Sequence, residues 1–180
     1  MNRMRPQAEN LTLEMTLTLN DVLSALYFMI PAYVANSTPT IFGGGKAIDL
    51  GRRFIDGEPI FGPNKTIRGF ISGLALGFSV GIVEALVFSQ GLLPKSVLTS
   101  LGSLSGDLVG AFIKRRMKLF PGFPLPLMDQ LDFILGALLF SYPIYGLNTN
   151  LVFIVLLITP PLHLATNIIA YALKLKNAAW

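Results

Sequence analysis

The sequence predicts an all-α polytopic membrane protein. Five transmembrane helices form a single integral-membrane domain over residues 1–180, with two polar loops on the cytoplasmic side. Three observations lead there. Mean hydropathy is +0.60, with 52% hydrophobic residues and 13% charged ones, about half the charge of a soluble domain. Several apolar runs approach the roughly 20 residues that a helix needs to cross a bilayer. The charges are gathered into a few segments between those runs. The chain has no cysteine, so disulfides and thiolate metal sites are excluded.

The elements follow in order. Residues 1–18 mix charge and polarity before any apolar run, so no cleavable signal is expected. This N-terminal segment is predicted to be extracytoplasmic or interfacial. The first span runs from about Leu19 to Ile41, with kinks expected at Pro31 and Pro39, and ends at Gly43-Gly44-Gly45. Residues 45–69 form the longest hydrophilic stretch, with Asp56-Gly57 and Gly62-Pro63-Asn64 as turn signals. A loop this long in a compact domain is either functional or disordered, and its mixed composition favours an ordered functional loop.

The second span covers Phe70 to about Phe88. Gly73, Gly77 and Gly81 recur every four residues, a stripe that lets another helix backbone approach. Glu84 lies near that stripe, and pairing between helices is a simpler role for it than catalysis. The third span is predicted from about Ser96, just after Pro94, to Ile113, and residues 114–128 form the second cytoplasmic loop. The fourth runs from about Leu127 to Leu147, and the fifth from Leu151 to Leu175, broken at Thr159-Pro160-Pro161. His163 follows that break and is read as a packing residue, because it is the one histidine of the chain. Lys46 to Arg68, Lys114 to Lys118, and Lys174 with Lys176 place eleven of the fourteen Lys and Arg on one side. Basic residues mark the cytoplasmic face, so the N-terminus is predicted outside and the C-terminus inside.

The stretch from Ser103 to Asp132 carries the chemistry. Asp107 and Lys114 are seven residues apart and project from one face of the third span, with Asp107 about 10 Å below the basic exit. Asp129 and Asp132 share a face at the start of the fourth span. Acidic side chains inside a membrane bundle are generally kept for an ion or a reaction. Packing of the two spans could bring all three carboxylates around one cation, and carboxylates beside phosphate-binding bases suit Mg²⁺ or Mn²⁺. Plainer roles stay open. Asp129 could cap a helix, Asp107 could bond between helices, and Lys114, Arg115 and Arg116 could anchor at anionic headgroups. Before the second span, Gly62, Lys65 and Arg68 offer close approach, charge and a helix N-terminus to a phosphate, though the spacing is no Walker A loop.

Gly106-Asp107, Lys114-Arg115 and Met128-Asp129-Gln130-Leu131-Asp132 resemble, in order and spacing, the signature of the CTP-dependent phosphatidate cytidylyltransferase family. Lys65, Thr66 and Gly69 match that family's Lys-Thr-x-x-Gly element. With the small five-span size, Pro31 to Asn36 and Phe61 to Gly69, the whole chain looks like the archaeal branch, the CDP-archaeol synthases. The bacterial-type signature has a Lys-Asp and a His-Gly-Gly between its halves, where this chain has a shorter proline-rich segment from Phe120 to Met128.

The resemblance implies an enzyme that joins CTP to an isoprenoid ether-lipid phosphate in the membrane, giving a CDP-lipid and pyrophosphate. Asp107 and Asp129 would hold the metal, with Asp132 a ligand or supporting partner. Lys65, Arg68, Lys114 and Arg115 would contact phosphates, and Asn64 and Thr66 are candidates for the base. The expected site is a hydrophilic pocket roofed by residues 45–69, with an apolar groove opening sideways between spans. No nucleic-acid partner is expected, and a homodimer stays open. CDP-alcohol phosphotransferases are a rival class, but their Asp-x-x-Asp-Gly-x-x-Ala-Arg pattern fails because Phe133 follows Asp132. A small ion-coupled transporter, with Glu84 and Asp107 on the path, would show an internal repeat, and none is visible.

Overall fold

The computed structural model describes residues 18–88 and 92–175. The predicted segment before Thr18, and Arg3, Arg5 and Lys176 of the charge count, lie outside these residues. Five helices appear in the expected order: α1 (Leu19–Phe42), α2 (Ile67–Phe88), α3 (Leu92–Arg116), α4 (Met128–Tyr145) and α5 (Thr149–Ala172). By length and composition, Ile67–Val87, Leu93–Arg116 and Thr149–Ala172 can cross a membrane.

Three boundaries differ from expectation. Helix α3 starts at Leu92 and runs to Arg116, so Pro94 lies in its first turn, where a missing N–H costs no helical bond. The second loop is accordingly shortened to residues 117–127. Helix α5 continues through Pro160 and Pro161. Proline's fixed φ is itself helical, and ending a helix in an apolar setting would strand further backbone groups.

Helix α1 packs against each of the other four. On one side, Ala25, Met29 and Ala32 of α1 form the apolar core with Phe133, Ile134, Ala137 and Leu138 of α4 and Ile154 and Val155 of α5. On the other side the seam is made of small residues. Gly73 lies against the Ala35 carbonyl and Leu104, and Gly77 against Ser100 and the Pro31 carbonyl, as the glycine stripe predicts. Ser103 Oγ donates to Ala32 O at 3.0 Å.

Pro31 explains the buried charge in this seam. It has no N–H for the carbonyl of Tyr27, and Lys95 Nζ donates to that oxygen at 3.3 Å. Lys95 Nζ also pairs with Glu84 at 2.8 Å, with both side chains buried. Lys95 thus lies within α3, ahead of the predicted start at Ser96, and Glu84 joins α2 to α3 as its sequence position suggested.

Candidate active site

The first loop is ordered from within by Asp49. Its carboxylate accepts the amides of Gly51 at 3.0 Å, Phe61 at 2.9 Å and Gly62 at 2.9 Å. Burial pushes this carboxyl up, but the backbone donors outweigh it and hold it below the ordinary aspartate value. Antiparallel bridges at Ala47–Thr66 and Arg53–Pro59 complete the loop. Thr66 is buried and accepts the Gly69 amide at 3.1 Å, which caps α2 and fixes the point where Lys65 leaves the loop.

The two loops meet at one end of the bundle. Arg116 pairs with Asp56 at 2.9 Å and donates to Pro59 O at 2.6 Å. Its guanidinium lies 4.8 Å from the Phe54 ring and 4.7 Å from that of Phe112. Arg115 is buried beneath Gly62 and donates to Phe120 O at 3.1 Å.

Beneath the first loop, Lys65 Nζ donates to Asp107 Oδ1 at 2.7 Å and Oδ2 at 2.6 Å. Both side chains keep 27% of their surface, so Asp107 is not sealed in a dry helix interface. Burial works to lower the pKa of this lysine. The carboxylates of Asp107, Asp132 and Asp129 more than reverse it, and the ammonium is held above its usual value. Lys114 Nζ reaches Asp129 at 2.6 Å and Phe123 O at 2.7 Å. Asp129 also accepts the Leu125 amide at 3.0 Å, so it ties down the second loop and does not cap α4. Asp132 Oδ1 accepts the Phe133 amide at 2.6 Å.

The packing of α3 on α4 sets these positions. A methyl group at Gly102 would overlap the Gly136 carbonyl, one at Gly106 the Asp132 carbonyl, and one at Gly110 the Asp132 carboxylate. This second stripe at spacing four was legible in the sequence, and it is the feature that lets Asp132 approach Asp107. Asp107, Asp129, Asp132, Lys65 and Lys114 thus come together. Asn64 is exposed near Gly122. Arg68 points elsewhere, into an exposed groove of about 500 Å³ with Lys46, Ile67, Ile71 and Ser72. A second groove, of about 330 Å³, lies along α1 between Tyr33 and Phe42 and reaches Leu76 of α2.

Among the described residues, no three acidic or histidine side chains lie close enough to cage a metal unaided. Asp107 on Lys65 and Asp129 on Lys114, with Asp132 against the same helix contact, still offer hard oxygen donors of the kind a divalent cation takes together with phosphate oxygens. The family model described as CDP-archaeol synthase matches residues 18–180. The chain belongs to the CDP-archaeol synthase family. A CDP-archaeol synthase of Pyrococcus furiosus is 43% identical over 167 residues, covering 90% of this chain and all of that protein. The CDP-archaeol synthase of Methanocaldococcus jannaschii is 40% identical over 172 residues, 88% of this chain and 97% of that one. A solved structure of an intramembrane enzyme for archaeal membrane lipids biosynthesis superposes with a TM-score of 0.78 at 40% identity. That match covers 82% of this chain and 94% of the solved one.

Proposed function

We propose that this chain is a Mg²⁺-dependent CTP:lipid-phosphate cytidylyltransferase, working at the cytoplasmic face through Asp107, Asp129, Asp132, Lys65 and Lys114. The reaction makes CDP-archaeol in membrane lipid biosynthesis, as the family name states. The observation that carries the reading is the pair of Lys–Asp contacts, Lys65 with Asp107 and Lys114 with Asp129, at the end of the bundle where both polar loops meet. All five helices cross the membrane in this reading, and the bias of basic residues puts that end in the cytoplasm.

An oxygen of the lipid phosphate attacks the α-phosphorus of CTP. The new P–O bond forms as the bond to the β-phosphate oxygen breaks, and pyrophosphate leaves with the electron pair. The nucleophile is already anionic, so no strong general base is required. The barrier lies in bringing polyanions together and stabilising charge on the leaving oxygens. Lys65 and Lys114 exchange their carboxylate partners for phosphate oxygens and align the two substrates. Arg115 contributes its charge from beneath Gly62, and exposed Asn64 is placed to meet the base. Asp107, Asp129 and Asp132 would hold Mg²⁺, or Mn²⁺, which supplies charge neutralisation and orientation of the phosphates.

The test is product formation by the purified protein in detergent. CTP and the isoprenoid ether-lipid phosphate should yield CDP-lipid, and chelation should stop it. Asp107→Asn and Asp129→Asn should each lose about a hundredfold or more in turnover while eluting as folded protein. Near wild-type turnover in both variants at low Mg²⁺ would reduce these residues to structural roles.

A further inference from the structure

The Lys46–Arg68 groove lies outside the carboxylate cluster, and the mechanism does not use it. Its two cations come together through tertiary structure. Ile67 N donates to Lys46 O at 3.0 Å, and the Ala47–Thr66 bridge lies beside that bond. Lys46 is thereby held against the first turn of α2, where Arg68 projects. Most other basic side chains at this end have a partner. Lys65 and Lys114 hold carboxylates, Arg53 donates to Gly57 O, Arg115 to Phe120 O and Arg116 to Pro59 O. The side chains of Lys46 and Arg68 have no hydrogen-bond or ion-pair partner among the described residues, and they face the same space.

The rest of the groove is Ile67, Ile71 and Ser72, whose hydroxyl donates to Gly69 O at 3.1 Å. Ile67 and Ile71 are one helical turn apart and exposed, on a helix apolar enough to cross a membrane. The groove therefore carries two positive charges beside the exposed isoleucines of the first turns of α2. CTP has nothing to place on those isoleucines. A phosphomonoester attached to a hydrocarbon chain matches both parts.

We propose that this groove is the docking site of the acceptor lipid, with Lys46 and Arg68 holding its phosphate and Ile67 and Ile71 its proximal chain. The inference rests on the cytidylyltransferase reading. It places nucleotide and lipid phosphate on different cations: Lys65 and Lys114 for CTP, Lys46 and Arg68 for the lipid before transfer. The loop segment from Lys65 to Arg68 joins the two, so the lipid need only shift past the start of α2 to meet the nucleotide.

The experiment compares wild type with Lys46→Gln/Arg68→Gln in neutral-detergent mixed micelles. Lipid phosphate is varied at saturating CTP, and CTP at saturating lipid. The double variant should raise the apparent KM for lipid phosphate roughly tenfold or more and leave kcat and the KM for CTP within about twofold. Lys46→Arg/Arg68→Lys should restore the lipid KM. Retention of labelled lipid phosphate by the purified protein without CTP should fall in the double variant alone. Unchanged lipid KM and retention would overturn the proposal, and so would a rise in the CTP KM instead. If a non-substrate anionic phosphodiester lipid competes equally with the lipid phosphate for wild type, the groove is a general anionic-lipid contact and the assignment fails. Wild type that retains lipid phosphate in this groove yet makes no CDP-lipid would fail the cytidylyltransferase reading and leave the groove standing.

Discussion

Replacing Gly106 with alanine tests whether the contact between α3 and α4 sets the active-site geometry. The added methyl would overlap the Asp132 carbonyl oxygen, with the Asp132 carbonyl carbon 3.0 Å away and Gly136 Cα 3.1 Å away. These are backbone atoms, so no rotamer change relieves the clash, and the helices must separate. Overpacking of this kind costs about 1–3 kcal/mol. Alanine recovers up to about 1 kcal/mol of helix propensity, leaving a net loss of roughly 0–2 kcal/mol. The variant should therefore fold in detergent with a modestly lower melting temperature. Catalysis should suffer far more, because the clash displaces Asp132 itself, and a displacement of about 1 Å can cost a hundredfold in rate. Gly102→Ala meets the Gly136 carbonyl one turn farther from the carboxylates, so it should destabilise equally and slow turnover less. Val109→Ala, on an exposed face of α3, is the control for both. Near wild-type turnover in folded Gly106→Ala would refute the claim that this crossing positions Asp132.

Two further predictions concern charges outside the reacting groups. The Asp49 carboxyl is held below its ordinary value of 3.8, so its contribution to loop order is complete above that pH and is lost as pH falls through the lower folded value. Limited proteolysis of the 45–66 loop should stay slow from neutral pH to about pH 4 and quicken below it. Asp49→Asn should expose the loop at neutral pH, at a cost of about 1.5–3 kcal/mol for the lost charge-assisted bonds, and equal protection in this variant would contradict the role given to Asp49. In the buried pair, Lys95→Met should cost about 3–5 kcal/mol by stranding Glu84 in the helix seam. Adding Glu84→Gln should recover much of that loss in a thermal melt, and a double variant no better than the single would argue against a paired contribution.

Much of this protein follows from sequence alone. Apolar runs parted by polar segments predict five helices, and five are found in that order, three of them long and apolar enough to cross a membrane. Alternating helix direction then brings residues 45–69 and 114–128 to one end, and with them Lys65, Asp107, Lys114 and Asp129. The spacing of the glycines at 73 and 77 correctly marks a helix seam. Partner choice was another matter. Asp107 and Lys114 share a helix face, yet each bonds a residue from another segment, because the rotation of α3 against α4 is set by Gly102 and Gly106 meeting Gly136, and a glycine stripe does not say which helix it will meet. Lys46 and Arg68 are far apart in sequence and meet only through the loop's backbone pairing. Asp49 organises that loop through amides twelve and thirteen residues away, a reach that no turn signal in the loop foretells. Lys95 precedes the predicted start of the third span at Ser96 and is buried in the structure, where Pro31 on a different helix leaves a carbonyl that needs a donor. Helix identity and end-to-end placement are local and periodic properties, so the sequence determines them. Which charge meets which depends on how closely two helix backbones approach and in what rotation, and only the packed bundle decides that.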